Sequence, residues 1–564
     1  MARYADQAAQ TVRRLLATPG WRRIAALRPE LDAETVTLAV DAAAGLAEQT
    51  LAPLDPVADR QGCRLDRGRV VTPDGYGAAW RTLARAGWIG IDLPEIHGGQ
   101  GLPLALQAAC QPLLDRACPA FMMAAGASRC AARLLAAVAD ADTARDWIPM
   151  LVAGAWAATI CISEPDAGSD VGRIRTAARR TADGWRVTGT KTWISFGDHD
   201  LAERIGHCLL ARSGSDPGTR GLSLFLVPDR HPDGTRNGVT VERIEEKMGL
   251  HGSPTCTLRF ADAQAVPLGT EGRGLAALFA MIAPMRLLTG CQGLGIAFGA
   301  HAVARRYAGE RRQGGAPDAE QPPIASHDDV RRQLIAIESD IAILQAATLE
   351  LATAMDLADS EPDPDARTAH AAAAAWMLPL IKTFGAETGF NAASAAIQLL
   401  GGAGYTREWP VEQALRDSRV LTIYEGTTGM QALDFLKRRH WADGGAGLAT
   451  VLARMRQEIT ACRAVAPAAA DAAAIVDAFA ALAAEMLGRR DTPRRGEYGA
   501  DGFLRAGWLC MSAWMAARLC AGDTAGDRRL GAFRLATLAD DLAQAAARCR
   551  TDSALADGHF ADAG

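Results

Sequence analysis

The sequence changes its hydrophobic periodicity twice, and this limits the folds that the chain can adopt. Apolar residues recur at helical spacing from Asp32 to about Gly154, and the same spacing returns from Gly272 onward. Between these regions the sequence breaks into short strand-like runs, such as GWRVTGTKTWIS and GLSLFLVP, which are separated by Gly, Asp and Pro turns. We therefore predict a mainly α fold with a central antiparallel β domain of about five to seven strands.

The length of the chain indicates several domains. With 564 residues it is too long for one hydrophobic core, since domains commonly span about 100–200 residues. The helical periodicities after Gly272 are long enough for a four-helix bundle, and the Gly-rich WADGGAGLA after Arg439 marks a boundary. The predicted domains are an N-terminal helical domain (1–155), a middle β domain (156–268), a helical bundle (269–440) and an additional helical domain (441–564).

Neither a membrane span nor a secretory signal is predicted. The uncharged run from Leu287 to Ala304 approaches membrane-spanning length, but it contains four Gly as well as Gln and His. We predict that this run is a buried helix of the bundle. The first residues, MARYADQAAQTVRRLL, carry charges throughout, which is not typical of a secretory signal.

Composition excludes several functional classes. Hydrophobic residues make up 49% and charged residues 22% of the chain, as in globular proteins. The net charge of −5 offers no electrostatic basis for binding nucleic acid. The 12 cysteines form no CxxC motif and no close cluster with histidines. They therefore predict buried thiols in a reducing compartment, here the cytoplasm, with neither a disulfide framework nor a metal site.

The stretch LTIYEGTTGM (421–430) contains the most informative acidic residue. Glu425 lies between a tyrosine and a run of Gly and Thr, whose small size lets backbone approach a ligand closely. A solvated loop or a helix N-terminus would also tolerate a carboxylate at this position. The stretch alone leaves these alternatives open.

Three other motifs are open to two interpretations each. In CISEPDAGSD (161–170), Ser169 and its neighbours suit the close approach of an anionic ligand, but also an ordinary turn. In GTKTWIS (189–195), alternation places Trp193 and Ser195 on one face of a strand, where they could hold a flat heterocycle or fill the sheet core. The glycines of GGAGYTREWP (401–410) could cap a helix or abut a phosphate. No P-loop and no Rossmann fingerprint is present.

Taken together, these motifs resemble the acyl-CoA dehydrogenase family. The likeness is carried by CISEPDAGSDVG, GTKTWIS, GERRQGG and QLLGGAGYTREWPVEQALRDSRVLTIYEGTTG, which follow one another within residues 40 to 440. The chain is most similar to the long members of the family, which carry an added C-terminal helical domain. That form would account for the residues after Arg439.

The resemblance implies an FAD-dependent α,β-dehydrogenation of an acyl-CoA thioester to the trans-2-enoyl thioester. In the family a carboxylate removes the α-proton while flavin N5 takes the β-hydride, and hydrogen bonds to the thioester carbonyl stabilise the developing enolate. Glu425 matches that carboxylate. Some members carry the base one position before the residue that matches Arg286, but that position is Met285 here.

The resemblance also assigns the remaining site residues by position. Those implied to contact FAD in the same subunit are Ile162, Ser163, Ser169, Trp193, Ser195 and Thr427. Those implied to reach the FAD of a neighbouring subunit, and hence to require a homodimer or tetramer, are Arg311, Gln313, Gln398, Gly401 and Gly402. Those implied to lie near the substrate are Arg286, Tyr424 and, again, Ser169.

Alternative functions remain at this stage. The same motifs would serve an acyl-CoA oxidase, or a dehydrogenase of an acyl group held by a carrier protein. A dehydrogenase of this family passes its electrons to an acceptor such as an electron-transfer flavoprotein. Some long relatives bind nucleic acid through a basic C-terminal extension, but here the charges after Arg439 nearly balance, which argues against that function.

Overall fold

Helices make up most of the chain in the computed structural model, which describes residues 4–551 and 553–561. The α-helices in this part of the chain are α1 (Tyr4–Ala17), α2 (Pro19–Leu27), α3 (Ala33–Leu46), α4 (Asp55–Gln61), α5 (Tyr76–Arg85), α6 (Leu104–Ala117), α7 (Pro119–Val138), α8 (Ala141–Val152), α9 (Gly274–Glu310), α10 (Asp328–Ser360), α11 (Pro364–Leu400), α12 (Val411–Ser418), α13 (Thr428–Leu436), α14 (Ala446–Val465), α15 (Asp471–Gly488), α16 (Pro493–Tyr498), α17 (Ala500–Cys520), α18 (Ala525–Arg550) and α19 (Ser553–Ala561). The strands are β1 (Arg64–Asp66), β2 (Arg69–Val71), β3 (Trp156–Cys161), β4 (Ala177–Thr181), β5 (Gly184–Ser195), β6 (Arg204–Arg212), β7 (Leu222–Pro228), β8 (Val239–Ile244) and β9 (Thr255–Leu268).

The chain forms two compact units, which we describe separately. The first unit contains the residues up to Asp41, Leu104–Pro112 and the residues from Thr289 onward. The second unit contains Ala42–Pro103 and Leu113–Leu288. The division into four domains is finer than these two units, and it stays a prediction.

The second unit contains the predicted central sheet. Its seven strands lie in the order β3-β6-β4-β5-β9-β7, with β8 paired to β9 and an additional pairing between β6 and β7. Most pairings are antiparallel, as predicted, but β3 and β4 each pair with β6 in parallel. Parallel pairing requires a long connection between the paired strands, and β4 and β5 lie between β3 and β6 in the sequence. The same unit also holds the short antiparallel hairpin β1–β2, which the helical periodicity did not predict.

The first unit contains the long helices of the predicted bundle. Helices α9 and α11 cross at closely packed glycines: a Cβ on Gly293 would lie 2.0 Å from the carbonyl oxygen of Gly385, and one on Gly385 would lie 2.5 Å from the Cα of Gly290. Larger side chains at this crossing would separate the two helices. The predicted buried helix at Leu287 to Ala304 lies within α9, and its Leu294 and Ala297 are buried.

The C-terminal helices pack directly on the bundle helices within the first unit. Glu350 of α10 is fully buried and pairs with Arg454 of α14 and with Arg518 of α17, the latter at 2.8 Å. Arg518 also pairs with Glu458 of α14 at 2.6 Å. Buried charges are tolerated where they are paired and hydrogen-bonded in this way. Helices α14 and α17, which follow Arg439, are therefore an integral part of this unit.

Three helices in the described part of the chain are long and apolar enough to cross a membrane when judged by length and composition alone. They are α7, α9 and α10, and 67%, 50% and 83% of their most apolar segments are buried inside the protein. The expectation that the chain does not span a membrane stays a prediction.

Candidate active site

Strand β5 carries a bulge where it reaches the predicted flavin residues. Its pairing with β9 shifts register between Lys191 and Ile194, and Trp193 adopts a φ of 62° in this interval. Trp193 is 62% exposed. The alternative in which Trp193 fills the sheet core is therefore wrong, because the bulge turns the indole out of the interior. Regular alternation, which we used to relate Trp193 to Ser195, is interrupted at this point.

Hydrogen bonds join the ends of β3 and β5. The N–H of Thr192 donates to the carbonyl oxygen of Ser163 at 2.9 Å, and Oγ1 of Thr159 donates to the carbonyl oxygen of Ser195 at 2.7 Å. The half-buried Ile162 and Ser163 directly follow β3. The structure thus brings together four predicted flavin residues, namely Ile162, Ser163, Trp193 and Ser195.

A buried ion pair fixes the segment that leaves β3. Lys191 is fully buried, and its Nζ donates to the carbonyl oxygen of Ile162 and to Oε1 of Glu164, both at 2.8 Å. Glu164 also accepts from the N–H groups of Arg175 at 2.7 Å and Thr176 at 3.0 Å. Burial acts to raise the pKa of Glu164, but the ammonium and these donors outweigh it, so the pKa lies below its ordinary value.

Ser169 lies in an exposed bend that follows this segment. The isolated antiparallel bridge between Glu164 and Ala167 closes a tight turn just before this bend. A Cβ on Gly168 would meet no atom within 4 Å, so the backbone beside Ser169 is accessible. This geometry suits the predicted contact with a pyrophosphate, which stays a prediction.

In the first unit, Glu425 occupies a strained turn just before α13. Its φ is 55°, and that of Gly426 is 93°. For a residue with a side chain, this left-handed conformation is unfavourable by about 1–2 kcal/mol of free energy. Thr427 is the N-cap of α13, where its Oγ1 accepts from the N–H of Met430 at 3.4 Å. Glu425 is therefore neither a solvated loop residue nor the helix cap, but a half-buried residue held two positions before the cap.

Side chains of the same unit hold this turn. Nζ of Lys382 donates to the carbonyl oxygen of Gly426 at 2.7 Å. Nε2 of Gln431 donates to the carbonyl oxygens of Glu425 at 3.0 Å and Gly426 at 3.3 Å. The hydroxyl of Tyr424 donates to Oε1 of Gln292 on α9.

The residues predicted to reach a neighbouring subunit's FAD are exposed in the first unit. Nη2 of Arg311 donates to Oε1 of Gln313 at 3.5 Å, just beyond the end of α9. Gln398 lies in the last turn of α11, and Gly401 is its C-cap with a φ of 61°. A Cβ on Gly401 or on Gly402 would meet no atom within 4 Å, so backbone is accessible there. Gly401 caps α11, which confirms the prediction of a helix cap in this motif. The accessible backbone at Gly401 and Gly402 also suits contact with a phosphate, which stays a prediction.

Arg286 lies on the part of α9 that belongs to the second unit. It is partly buried, and its guanidinium carbon lies 6.0 Å from the centre of the Phe279 ring. Its predicted role near the thioester stays a prediction.

Sequence reasoning missed the side chains that hold the site segments. Lys191, Glu164, Lys382 and Gln431 were not singled out, although all four are buried. The detectable signal was a lysine inside an apolar run, as in LPLIKTF for Lys382. Lysine is rarely fully buried without a specific partner.

The residues present fit FAD, the cofactor that the family implies. In the second unit, the exposed indole of Trp193 offers a flat aromatic face to a ring system, and the backbone of Ser163 offers polar groups beside it. The accessible backbone at Ser169 suits a phosphate. Among the described residues, no group of three or more His, Cys, Asp and Glu could hold a metal ion. The features of the second unit are those of a flavin-binding protein.

Comparison with known proteins gives the family. The acyl-CoA dehydrogenase N-terminal, middle and C-terminal domains match residues 34–155, 159–263 and 272–440. The 3-methylmercaptopropionyl-CoA dehydrogenase of Ruegeria pomeroyi is 35% identical over 439 residues, which cover 75% of this chain and 74% of that protein. The broad-specificity linear acyl-CoA dehydrogenase FadE5 of Mycobacterium tuberculosis is 34% identical over 409 residues, which cover 69% of this chain and 66% of that protein.

A solved structure extends the likeness of fold to the C-terminal helices. Caenorhabditis elegans ACDH-11, in complex with C11-CoA, superposes with a TM-score of 0.78 at 20% identity, covering 91% of this chain and 89% of that one. The chain belongs to the acyl-CoA dehydrogenase family. Its class of reaction is the FAD-dependent oxidation of a CH–CH bond in an acyl-CoA thioester.

Proposed function

We propose that Glu425 is the base that removes the α-proton of the acyl-CoA thioester. The observation that carries this proposal is the strained turn. Glu425 is half-buried and has a left-handed backbone, and the buried side chains of Lys382 and Gln431 support the turn that presents its carboxylate. Bound FAD would supply the acceptor for the β-hydride. The backbone N–H of Glu425 is the proposed donor to the thioester carbonyl, which stabilises the charge that develops there.

The surroundings of Tyr424 support an apolar acyl group beside this base. Tyr424 packs on a cluster formed by Ile296, Ala386 and Leu421, and its hydroxyl bonds to Gln292. A carboxylate near apolar side chains is less well hydrated than one in water, which favours proton abstraction at neutral pH. We propose that Tyr424 lines the thioester end of the substrate site.

The proposed substrate is an acyl-CoA with an unbranched chain. The relatives from Ruegeria pomeroyi and Mycobacterium tuberculosis are named for a 3-methylmercaptopropionyl thioester and for linear acyl thioesters, and both acyl groups are unbranched. Anaerobic bleaching of the flavin by matched straight-chain and 2-methyl-branched acyl-CoAs tests this proposal. Faster bleaching by the branched series would refute it.

The proposed assembly is a homodimer or a tetramer of such dimers. Its support is the exposure of Arg311, Gln313, Gln398, Gly401 and Gly402, for which the family resemblance implies contact with a second subunit's FAD. Light scattering of the purified protein tests the assembly, and a monomer that retains full FAD content would contradict it.

An electron-transfer flavoprotein is the proposed electron acceptor, and the cytoplasm the proposed location. All twelve cysteines are free thiols, which supports a reducing compartment. Turnover that requires an added acceptor and consumes no oxygen would support a dehydrogenase, whereas stoichiometric oxygen consumption would favour an oxidase. Cell fractionation tests the location.

The decisive experiment compares the wild type with Glu425→Gln in anaerobic flavin reduction. Loss of a general base reduces the rate by about 100- to 10,000-fold. The glutamine keeps the size of the side chain, so FAD content and thermal stability should stay unchanged. Reduction at the wild-type rate would show that another group removes the proton.

A further inference from the structure

The turn that carries Glu425 is held by a buried lysine from another helix. Lys382 of α11 is fully buried, and its ammonium donates to the carbonyl oxygen of Gly426 at 2.7 Å. Its helix neighbours are apolar, as the segment LPLIKTF (378–384) indicates. Burying an ammonium in such surroundings is costly, so the position of Lys382 calls for a specific interaction that offsets this cost.

Two successive carbonyl groups of the turn accept from buried side chains. Lys382 reaches Gly426, while the fully buried Gln431 reaches both Glu425 and Gly426. These two residues are also the ones with positive φ, at 55° and 93°. A hydrogen bond from an ammonium is about twice as strong as one between neutral groups. The charged donor therefore acts on the residue that directly follows the strained Glu425.

We propose that Lys382 is the positioning residue for the base, a role that rests on the proposed function of Glu425. By binding the carbonyl of Gly426, the ammonium fixes the peptide between Gly426 and Thr427, and with it the turn that sets the direction of the Glu425 carboxylate and N–H. Gln431 of α13 donates to the same carbonyl and also to that of Glu425. Lys382 itself takes no part in proton transfer.

Removal of the ammonium should affect the chemical step more than substrate binding. Without the ammonium, the carbonyl of Gly426 keeps only the longer hydrogen bond from Gln431, at 3.3 Å. The turn that contains the left-handed Glu425 then loses the hydrogen bond from its charged donor. A displacement of about 1 Å in a reacting group can reduce a rate by about 100-fold. Binding of the CoA thioester depends on contacts spread over a much larger surface, so KM should change little.

The test uses full-length, FAD-loaded Lys382→Met and Lys382→Arg. In Lys382→Met, we expect anaerobic flavin reduction to slow by about 10- to 100-fold with KM nearly unchanged. Arginine keeps the charge and the donor, so Lys382→Arg should recover part of the rate. In the substrate-free protein, amide hydrogen exchange in residues 423–431 should be faster in Lys382→Met than in the wild type.

Arg505→Met provides a matched control, because it removes a different, partly buried contact of the same helix, α11. Arg505 of α17 binds Glu387 of α11 with two hydrogen bonds at 3.0 and 3.1 Å, so its loss weakens the packing of α11 without touching the turn. We expect lower thermal stability, a normal rate of flavin reduction, and normal exchange in residues 423–431.

Defined outcomes would overturn the role of Lys382. A wild-type rate in Lys382→Met, or unchanged exchange in residues 423–431, would do so. An equal loss of rate in Arg505→Met would also overturn it, because general destabilisation would then explain both variants. A wild-type rate of flavin reduction in Glu425→Gln would refute both proposals, that Glu425 is the base and that Lys382 positions it. If flavin reduction is slow in Glu425→Gln but normal in Lys382→Met, Glu425 is still the base and only the positioning role of Lys382 is refuted.

Discussion

Each compact unit contains a fully buried lysine that donates to a backbone carbonyl in a predicted site segment, but the two lysines differ in what they hold. In the second unit, Lys191 forms an ion pair with Glu164 while it binds the carbonyl of Ile162. In the first unit, Lys382 binds the carbonyl of Gly426 in a strained turn. We propose that Lys191 mainly stabilises the segment that leaves β3, whereas Lys382 mainly directs the proposed base.

The largest expected effect on stability comes from Lys191→Met. The substitution leaves Glu164, whose side chain is only 7% exposed, without its ammonium partner. Breaking a buried ion pair in this way costs about 3–5 kcal/mol. Urea unfolding, monitored by hydrogen exchange in peptides from the sheet, measures the change in the free energy of unfolding.

The control for Lys191→Met is the double variant Lys191→Met/Glu164→Gln, which removes both charges. It should recover part of the lost free energy of unfolding, because no unpaired charge stays buried. A loss below about 1 kcal/mol in the single variant would contradict a main role in stability and would make the two lysines alike.

A smaller effect is expected from Gly293→Ala, which tests the close packing of α9 against α11, the helix that carries Lys382. The new Cβ would lie 2.0 Å from the carbonyl oxygen of Gly385, so the helices must shift, at a cost of about 1–3 kcal/mol. Gly309→Ala, on the same helix, meets no atom within 4 Å and should be neutral or stabilising. Equal unfolding midpoints for the two variants would show that the crossing is not tightly packed.

The effect that is smallest at neutral pH, and that grows as the pH falls, comes from His199 of the second unit. Burial, assisted by the nearby charge of Arg69, lowers the pKa of His199 from 6.5 to about 3. The unfolded chain therefore binds a proton below about pH 6.5 that the folded unit does not, and stability falls as the pH drops from there toward 3. His199→Gln keeps an acceptor for the N–H of Leu201 and does not titrate. Its free energy of unfolding should depend less steeply on pH between 6.5 and 4.5, and an unchanged slope would contradict the buried neutral state.

Much of the fold could be predicted from local sequence patterns. The segment GWRVTGTKTWIS coincides with β5, and the helical periodicities after Gly272 correspond to α9, α10 and α11. These patterns are readable because each element places its own apolar residues on one face. The parallel pairings with β6 were not predictable in this way, because they join segments distant in the sequence.

The candidate site was only partly predictable. Glu425 and the flavin residues followed from motifs, but the exposure of Trp193 depends on a bulge that regular alternation does not reveal. The donors that hold the site segments were missed. Lys382 and Gly426 are 44 residues apart, and no local pattern reports such a contact.

The sequence by itself determined the order of helical and β regions, the family motifs and the carboxylate proposed as base, because these depend on periodicity and residue type. The tertiary structure decided the conformation of the turn at Glu425 and the side chains that support it. A left-handed backbone at a residue with a side chain is unfavourable on its own. It persists here because Gln431 of α13 holds the carbonyl group of Glu425 and Lys382 of α11 holds that of the next residue, Gly426.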